Sequence, residues 1–391
     1  MTLPRAAHLD LIQPFRVMEL LDQAKQMEAQ GHAVIHMEVG EPDFETPAPI
    51  IDAGIKALEQ GKTHYTAARG APELRQAISQ YYLDKFNTVV DAERILITPG
   101  ASGALQLALS VLIDPGNEVL LADPGYPCNR NFIRLLGACP RAVNVDASSG
   151  FQVTADHLPR YWADKTRALL LASPSNPTGT LIPKQDMLMM LDYASAHDGA
   201  VIVDEIYQGL NYEGDPYTVA GLSEDVFVIN SFSKYFGMTG WRIGWIVAPQ
   251  AYVSDLDKLA QNLYLATSTP AQMAALQAFS DDSLNILEQR RDTFRQRRDY
   301  LLPALAGLGF KIDSVPQGAF YIYADCSDLT DDSYRFCQDI LKETAVAITP
   351  GLDFGDNRPE SFMRFAYTTE LGKLKEAVSR LETFIKGREA R

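Results

Sequence analysis

The sequence predicts an α/β protein: a large domain with a mostly parallel central sheet covered by helices on both faces, and a smaller α+β domain. Between residues 94 and 230, short apolar runs alternate with helical patterns, which is the rhythm of βα units in a parallel sheet. After residue 249 the pattern becomes helical and then mixed. The predicted ranges are an N-terminal arm and part of the small domain at 1–45, the large domain at 46–285, and the small C-terminal domain at 286–391.

The spacing of apolar residues, together with glycines and prolines that end or start helices, predicts the individual elements. Helical spacing runs from Pro14 until Gly31 ends it, and Pro72 stands where a helix can begin, because proline is tolerated in the first turn. A lone N-terminal helix and strand cannot form a core, so we expect them to pack with the C-terminal part. The predicted strands are 34–39, 94–98, 118–122, 142–145, 168–172, 200–204, 226–230, 310–313, 318–324, 345–348 and 362–367, and the later helices are 250–264, 270–280, 283–306, 333–342 and 370–387.

Composition argues against several classes of function. A formal charge of −15 argues against nucleic acid or an anionic membrane as a main partner, and no apolar stretch is long enough to span a bilayer. The four cysteines form no CxxC pair and the six histidines show no metal-binding grouping, which indicates reduced thiols and no metal site. Since the N-terminus has no apolar leader, we expect a cytoplasmic protein.

Segment 231–244, Ser-Phe-Ser-Lys-Tyr-Phe-Gly-Met-Thr-Gly-Trp-Arg-Ile-Gly, has the composition of a phosphate site rather than of a core. The hydroxyls of Ser231 and Ser233 can bind phosphate oxygens, the glycines allow close approach, and the Arg242 guanidinium neutralises charge. Lys234 beside such a site is either a charge clamp or an amine nucleophile that forms a Schiff base. The segment alone leaves both roles open.

Upstream strands also end in polar or constrained residues. Strand 94–98 runs into the small-residue turn 99–103 and a helix, which is an anion site by geometry, although such a turn can also be purely structural. Another strand leads to Tyr126, an aromatic side chain at the sheet edge. Asn176 lies in Ser-Pro-Ser-Asn-Pro-Thr-Gly, where two prolines and a glycine hold the amide rigidly.

Asp204 ends an apolar strand, where a buried carboxylate is costly unless it is paired. It could cap a following helix, or it could pair with a cation such as a protonated ring nitrogen. Asp204 lies 28 residues after Asn176 and 30 before Lys234, about one βα unit each. Because ligands of parallel sheets bind beyond the carboxyl ends of the strands, we expect the three residues to converge.

The convergent set contains the groups that pyridoxal phosphate needs. Lys234 forms the imine, and a carboxylate keeps the pyridine nitrogen protonated so that the ring acts as an electron sink. Tyr207 and an amide reach the ring hydroxyl, an aromatic side chain stacks on the ring, and a phosphate site completes the set.

These residues are similar to those of the class I/II (fold type I) pyridoxal-phosphate-dependent aminotransferases, aspartate aminotransferase and its relatives. The resemblance extends from Val-Gly-Glu-Pro-Asp-Phe at 39–44, through the Asn176 loop, to Phe-Met-Arg-Phe at 362–365. It implies the fold type I architecture and ping-pong transamination between an L-amino acid and a 2-oxo acid. It also implies cis bonds at Asn176–Pro177 and Asp123–Pro124.

The resemblance assigns roles residue by residue. Lys234 resembles the Schiff-base lysine and proton shuttle, and Asp204 the partner of the pyridine nitrogen. Arg364 resembles the arginine that grips the substrate α-carboxylate, with Gly40 and Asn176 beside it. Tyr65 resembles the tyrosine that reaches the phosphate of the neighbouring subunit, which implies a homodimer with shared sites. The remaining residues implied to bind the cofactor are Ala101, Ser102, Tyr126, Asn176, Tyr207, Ser231, Ser233 and Arg242.

One departure bears on the substrate. In one aspartate-specific branch of the family, a lysine helps to bind the side-chain carboxylate, and Ser102 stands at the equivalent position here. Arg16 or Arg69 could compensate, although each also fits an ordinary surface or loop arginine. Phe15 would equally suit an apolar or aromatic substrate. The amino donor and the oxo-acid acceptor therefore stay open.

Three rival functions share part of this pattern. A β-elimination (C–S) lyase or a cyclase could use the same scaffold, and only a product assay separates these from a transaminase. Ser231–Lys234 fits the S-x-x-K pattern of penicillin-binding acylases, but no S-D-N or K-T-G follows. A non-catalytic ligand sensor, as in regulators that fuse this fold to a DNA-binding module, is disfavoured because the acidic sequence shows no spare N-terminal helix-turn-helix segment and keeps Lys234, Asp204 and Arg364 together.

Overall fold

The computed structural model describes residues 5–214 and 216–389; residues 1–4, 215, 390 and 391, which belong to the three predicted ranges, lie outside the described residues. The described strands are β1 (Ile35–Met37), β2 (Ile95–Thr98), β3 (Glu118–Asp123), β4 (Cys139–Asn144), β5 (Thr166–Ala172), β6 (Ala200–Asp204), β7 (Val226–Ser231), β8 (Gly244–Val247), β9 (Tyr321–Asp325), β10 (Val346–Pro350) and β11 (Phe362–Ala366). The described α-helices are α1 (Arg16–Ala29), α2 (Ala48–Glu59), α3 (Pro72–Phe86), α4 (Gly100–Leu112), α5 (Pro127–Leu135), α6 (Leu158–Tyr161), α7 (Lys184–Ala196), α8 (Val253–Leu263), α9 (Thr269–Leu276), α10 (Asp281–Gly307), α11 (Ser333–Thr344) and α12 (Leu371–Glu389).

A seven-stranded sheet forms the centre of the molecule. Its order is β2-β8-β7-β6-β5-β3-β4; β4, β3, β5, β6 and β7 run parallel, whereas β8 is antiparallel to both β7 and β2. Alternate residues of one strand enter different apolar clusters: Val201 and Val203 join one cluster, and Ile202 joins the other. Both faces of the sheet are therefore covered, and the predicted fold class is confirmed.

A second sheet joins the two ends of the chain. Its order is β1-β10-β11-β9; β1 pairs in parallel with β10, with Ile35 opposite Val346, and the other pairings are antiparallel. The N-terminal helix and strand thus complete their core with C-terminal elements, as their small size required.

Some local predictions differ from the structure. The predicted strand at 310–313 reduces to one isolated bridge between Lys311 and Asp325. Lys311 and Asp313 are exposed, and no other described residue of this run pairs with β9, so the run lies at the edge of the small sheet with too little buried surface for a strand. The two expected cis bonds are present, with a third at Ser173–Pro174. Among the described helices, none combines the length and the hydrophobicity that a bilayer-spanning segment needs.

Candidate active site

A cavity of about 280 Å³ lies at the carboxyl ends of β5 and β6, where the small sheet approaches the large one. The strand ends of the large sheet supply one side of it, and β9, β10, β11 and the segment after β1 supply the other. The structure therefore brings together residues that are far apart in sequence. The predicted site residues among its lining are Gly40, Ala101, Ser102, Tyr126, Asn176, Asp204, Tyr207, Lys234 and Arg364.

Lys234 follows β7 and presents its amine to the cavity. The Nζ atom donates a hydrogen bond to the carbonyl oxygen of Gly40 at 2.6 Å. The pKa of Lys234 is lowered to about 8, mainly by burial. The guanidinium groups of Arg364 and Arg242 act in the same direction, whereas the carboxylates of Glu41 and Asp204 oppose it. An amine in this environment loses its proton far more readily than one in water, which suits a nucleophile or a base.

Asp204 is buried at the end of β6. Its Oδ1 atom accepts a hydrogen bond from the backbone N–H of Ile206 at 3.0 Å. Burial raises the pKa of Asp204 to about 6, while this hydrogen bond and the Lys234 charge lower it. A turn follows at 206–209 instead of a helix, so the alternative role as a helix cap is wrong.

Arg364 lies buried on β11 with its guanidinium group held on several sides. Nη1 donates to Oδ1 of Asn176 at 2.9 Å, and Nη2 donates to the Glu38 carbonyl oxygen at 2.5 Å and to Oγ1 of Thr349 at 3.3 Å. Its carbon Cζ lies 4.3 Å from the ring centroid of Tyr321. Nε, however, is buried with no hydrogen-bond partner among the described residues. The guanidinium group is thus preorganised, and Nη1 keeps a second N–H beyond its bond to Asn176 that a ligand could use.

Tyr207 and Tyr321 form a buried hydroxyl pair, with their oxygen atoms 2.9 Å apart. Burial raises the pKa of both phenols, so both hydroxyls stay protonated at neutral pH. A Cβ atom on Gly40 would overlap the Tyr321 hydroxyl, which explains why a glycine is needed there. Sequence reasoning did not find Tyr321: the whole of β9 is buried, so no change of polarity separates this tyrosine from the core residues beside it.

The start of α4 and Arg242 approach each other closely. Gly100 has a φ of +71°, and a Cβ atom there would lie 2.7 Å from Nη2 of Arg242. A Cβ atom on Gly244 would lie 3.0 Å from the amide nitrogen of Ala101. Gly100 and Gly244 therefore allow the Arg242 guanidinium group and the first backbone amides of α4 to lie side by side. Free helical N–H groups beside a guanidinium group attract an anion.

Four predicted cofactor residues are not among the cavity lining of the described chain. The Ser231 hydroxyl bonds that of Ser233 at 2.9 Å and donates to the Ile243 carbonyl oxygen at 3.1 Å. Arg242 is exposed and donates to the Thr239 carbonyl oxygen at 3.0 Å. Tyr65 is 80% exposed.

The comparisons with known proteins identify the family. The sequence pattern of aminotransferase class I and II matches residues 32–381, and the chain belongs to this family. A (5-formylfuran-3-yl)methyl phosphate transaminase of Methanocaldococcus jannaschii is 39% identical over 95% of this chain and 96% of that protein. A valine–pyruvate aminotransferase of Mycobacterium tuberculosis is 35% identical over 96% of this chain and 97% of that protein.

A solved structure agrees with these relatives. The crystal structure of an aminotransferase from Mycobacterium tuberculosis matches with a TM-score of 0.95 at 35% identity, over 99% of this chain and 100% of that chain. The protein is therefore an aminotransferase with the α/β fold of its family.

Proposed function

We propose that this aminotransferase binds pyridoxal 5′-phosphate and moves an amino group between an L-amino acid and a 2-oxo acid in two ping-pong half-reactions. The observation that carries the proposal is the presence of Lys234, Asp204 and Arg364 in one cavity. Lys234 would hold the cofactor, which would supply an electron sink for the charge that develops at the substrate Cα.

The residues present fit this cofactor. Asp204 is a buried carboxylate that lacks a strong cationic partner, and a protonated ring nitrogen would meet that need. The Tyr207 hydroxyl and the amide group of Asn176 suit a ring oxygen, and the Tyr126 ring suits a stacking contact. The close approach of α4 and Arg242, which two glycines permit, suits a phosphate. We propose that this phosphate site consists of Ala101, Ser102, Ser231, Ser233 and Arg242.

Arg364 would bind the α-carboxylate of either substrate. Asn176 and the Glu38 carbonyl oxygen fix its two terminal nitrogens, and the second N–H of Nη1 supplies a donor for the substrate carboxylate. The backbone of Gly40 can lie next to Arg364 because a glycine has no Cβ atom that would overlap the Tyr321 hydroxyl. A carboxylate held there places the substrate Cα within the cavity that also holds Lys234.

Lys234 would then move the Cα proton. Its pKa of about 8 leaves a fraction of neutral amine at physiological pH, and the arginine charges nearby keep the proton from being held too tightly. The same lysine therefore serves first as the covalent attachment point and then as the base and acid.

Chemical trapping tests the attachment point. We expect borohydride reduction of the reconstituted protein, followed by peptide mass spectrometry, to find a pyridoxyl group on Lys234. K234A should lose this adduct and at least about 10³-fold in transamination rate, because both the attachment and the proton transfer are removed. K258A, which removes an exposed lysine, is the matched control and should keep the adduct and the rate.

The products decide between transamination and elimination. Incubation of an amino acid with a 2-oxo acid should give the exchanged pair in equal amounts, without net ammonia. A trapped adduct on another lysine, or full turnover by K234A, would refute the proposed role. Release of ammonia and pyruvate instead would point to a lyase.

A further inference from the structure

We propose that Asp123 is a positioning residue for Arg364: its carboxylate holds residues 354–357 against the end of β3 and so keeps the Phe354 ring against the guanidinium group. The inference rests on the proposed function, because it takes Arg364 to bind the substrate α-carboxylate. Each contact that carries it lies within one chain and involves neither the cofactor nor the side chain of the substrate.

Asp123 is the last residue of β3 and is buried. Its Oδ2 atom accepts a hydrogen bond from the backbone N–H of Asp356 at 2.9 Å, and its Oδ1 atom accepts one from Asn357 at 3.4 Å. Burial raises the pKa of Asp123, as does the Asp356 carboxylate, whereas the two amides and the Arg130 charge lower it. A buried carboxylate needs such donors, and here they belong to the loop that leads into the strand of Arg364.

The Asp123 carboxylate also packs tightly against the backbone of this loop. A Cβ atom on Gly355 would lie 1.6 Å from Oδ1 of Asp123 and 2.3 Å from its Cγ. The Nδ2 atom of Asn357 donates to the carbonyl oxygens of Asp123 and Val145, at 3.3 and 3.0 Å. Residue 355 therefore has no room for a side chain while Asp123 is in place, and Asn357 fixes the loop on its other side.

Phe354 connects this loop to the guanidinium group. Its carbonyl oxygen accepts hydrogen bonds from the backbone N–H of Gly125 at 2.8 Å and from Nη2 of Arg130. The centroid of its buried ring lies 4.8 Å from Cζ of Arg364. Because the attraction between a cation and an aromatic ring depends on their separation, a loop that moves away from β3 holds the arginine less firmly.

The position of these contacts predicts a selective effect, which a general loss of structure would not give. L-Alanine and ethylamine differ only in the α-carboxylate, so the amino acid alone can use Arg364. D123N keeps the shape of the side chain but replaces one acceptor with an N–H group that faces a backbone N–H. Residues that act only on the carboxylate should therefore change the reaction of alanine and leave that of ethylamine unchanged.

Single-turnover half-reactions of the holoenzyme, followed by the cofactor absorbance, measure this difference. In D123N we expect the half-saturation concentration of L-alanine to rise at least about fivefold, while its limiting rate changes less than about twofold. The rate with ethylamine should also change less than about twofold. L-Phenylalanine and 2-phenylethylamine form a second pair and should show the same factors, because the carboxylate is common to both amino acids.

D91N is the matched control. Asp91 is exposed, and its carboxylate also accepts a hydrogen bond from a backbone N–H, that of Glu93 at 2.9 Å. The substitution is the same, but the site lies outside the cavity lining of the described chain. D91N should leave both half-reactions of each pair unchanged.

A double-mutant cycle tests the contact between Asp123 and Gly355 directly. The Cβ atom of G355A collides with the carboxylate, so we expect this variant to lower the ratio of limiting rate to half-saturation concentration for L-alanine at least about tenfold. In a D123A background the collision is absent, and adding G355A should lower that ratio less than about twofold. Equal effects of G355A in the two backgrounds would overturn the contact.

Hydrogen exchange gives a measurement that does not depend on turnover. In the holoenzyme, the amides of Asp356 and Asn357 should exchange at least about tenfold faster in D123N than in the wild type, and D91N should match the wild type. If D123N does not fold, N357A serves in its place, because it removes the side-chain bonds to Asp123 and Val145. It should raise the half-saturation concentration of L-alanine about threefold without affecting ethylamine.

The outcomes separate this inference from the proposed function. An equal loss for alanine and ethylamine in D123N would mean that Asp123 supports the whole site and would overturn its role toward Arg364, while leaving a transaminase. Unchanged half-saturation for alanine would overturn that role as well. Failure of the wild type to react with either amino acid would contradict the proposed function, and faster exchange in D123N would still uphold the contact between Asp123 and residues 354–357.

Discussion

Tyr321 contacts three groups of the candidate site at once. Its ring lies beneath the Arg364 guanidinium, with Cζ 4.3 Å from the centroid, its hydroxyl bonds that of Tyr207, and Gly40 leaves room for it. A buried cation over an aromatic ring gains about 2 kcal/mol or more. We therefore regard Tyr321 as a positioning residue for the arginine that would bind the α-carboxylate.

Two substitutions separate the ring of Tyr321 from its hydroxyl. Y321L removes both and should raise KM for the amino donor about 5–30-fold, which corresponds to a loss of roughly 1–2 kcal/mol of cation–π energy. Y321F keeps the ring and should raise KM far less, while the pH titration of the bound cofactor's absorbance shifts because Tyr207 has lost its partner. Steady-state kinetics and that titration measure the two effects. Equal KM increases in both variants would show that the ring does not position Arg364.

Single residues were predictable where polarity changed at the end of a strand. Asp204 and Lys234 stood out because each follows an apolar run, and the structure places both in the cavity. Tyr321, Thr349 and Glu38 did not stand out, because the first two lie in wholly buried strands and Glu38 contributes its backbone carbonyl to Arg364. A tertiary contact made through the main chain leaves no mark on the side-chain pattern.

At the scale of elements, His36 connects β1 with α1. Its Nδ1 atom lies 2.7 Å from Oε1 of buried Glu38, and its Nε2 atom lies 3.2 Å from Oε1 of Glu28 in α1. The hydrogen bond to Glu38 raises the pKa of His36 to about 9, and the Glu28 carboxylate adds to the effect. Between neutral pH and pH 9, the junction of strand and helix therefore carries a protonated imidazole.

The raised pKa makes stability depend on pH in a defined direction. A histidine whose pKa is higher in the folded state stabilises the fold fully below its unfolded value of about 6.5, and the contribution disappears as pH rises through about 9. The difference in melting temperature between wild type and H36Q should therefore shrink between pH 6.5 and 9.5. H32Q, at an exposed histidine outside this cluster, is the control and should follow wild type. A constant difference across this range would contradict the linkage.

Secondary-structure prediction succeeded for segments with a long hydrophobic period and failed for a short run that pairs through a single residue. The helical spacing from Pro14 to Gly31 corresponds to α1 (Arg16–Ala29), because an amphipathic helix must show its buried face in the sequence. The short run at 310–313 has strand-like residues but only one pair partner. Whether this run forms a strand depends on the position of β9, and the local sequence holds no information about that position.

At the scale of the whole molecule, the shared-site dimer remains a proposal with a direct test. Tyr65 is 80% exposed, and we propose that it reaches the phosphate of the partner's site. When K234A and Y65A chains are denatured together and refolded, each heterodimer then contains one fully native site and one site with both changes. Transaminase activity should rise severalfold above the mean of the separate preparations. Additive activity would mean that Tyr65 serves its own chain or no site.

The fold class was predictable because the βα rhythm and the apolar strands encode a covered parallel sheet. The proposed boundaries near residues 45 and 285 are less well defined by sequence. Residue 285 falls inside α10 (Asp281–Gly307), a continuous helix that shows no change of composition there. Arg297 of this helix bonds both Asp43 carboxylate oxygens, at 2.8 and 2.9 Å, so a residue just before the first boundary is tied to one just after the second.

The pairing of β1 with β10 also sets the order in which the protein can become active during its synthesis. Ile35 emerges from the ribosome 311 residues before its partner Val346, so α1 and β1 wait with their apolar residues uncovered, as a target for chaperones, through most of translation. Arg364 lies on β11 and is synthesised later still. A nascent chain that already carries Lys234 therefore lacks Arg364, the residue proposed to bind the substrate carboxylate, until β11 has been made.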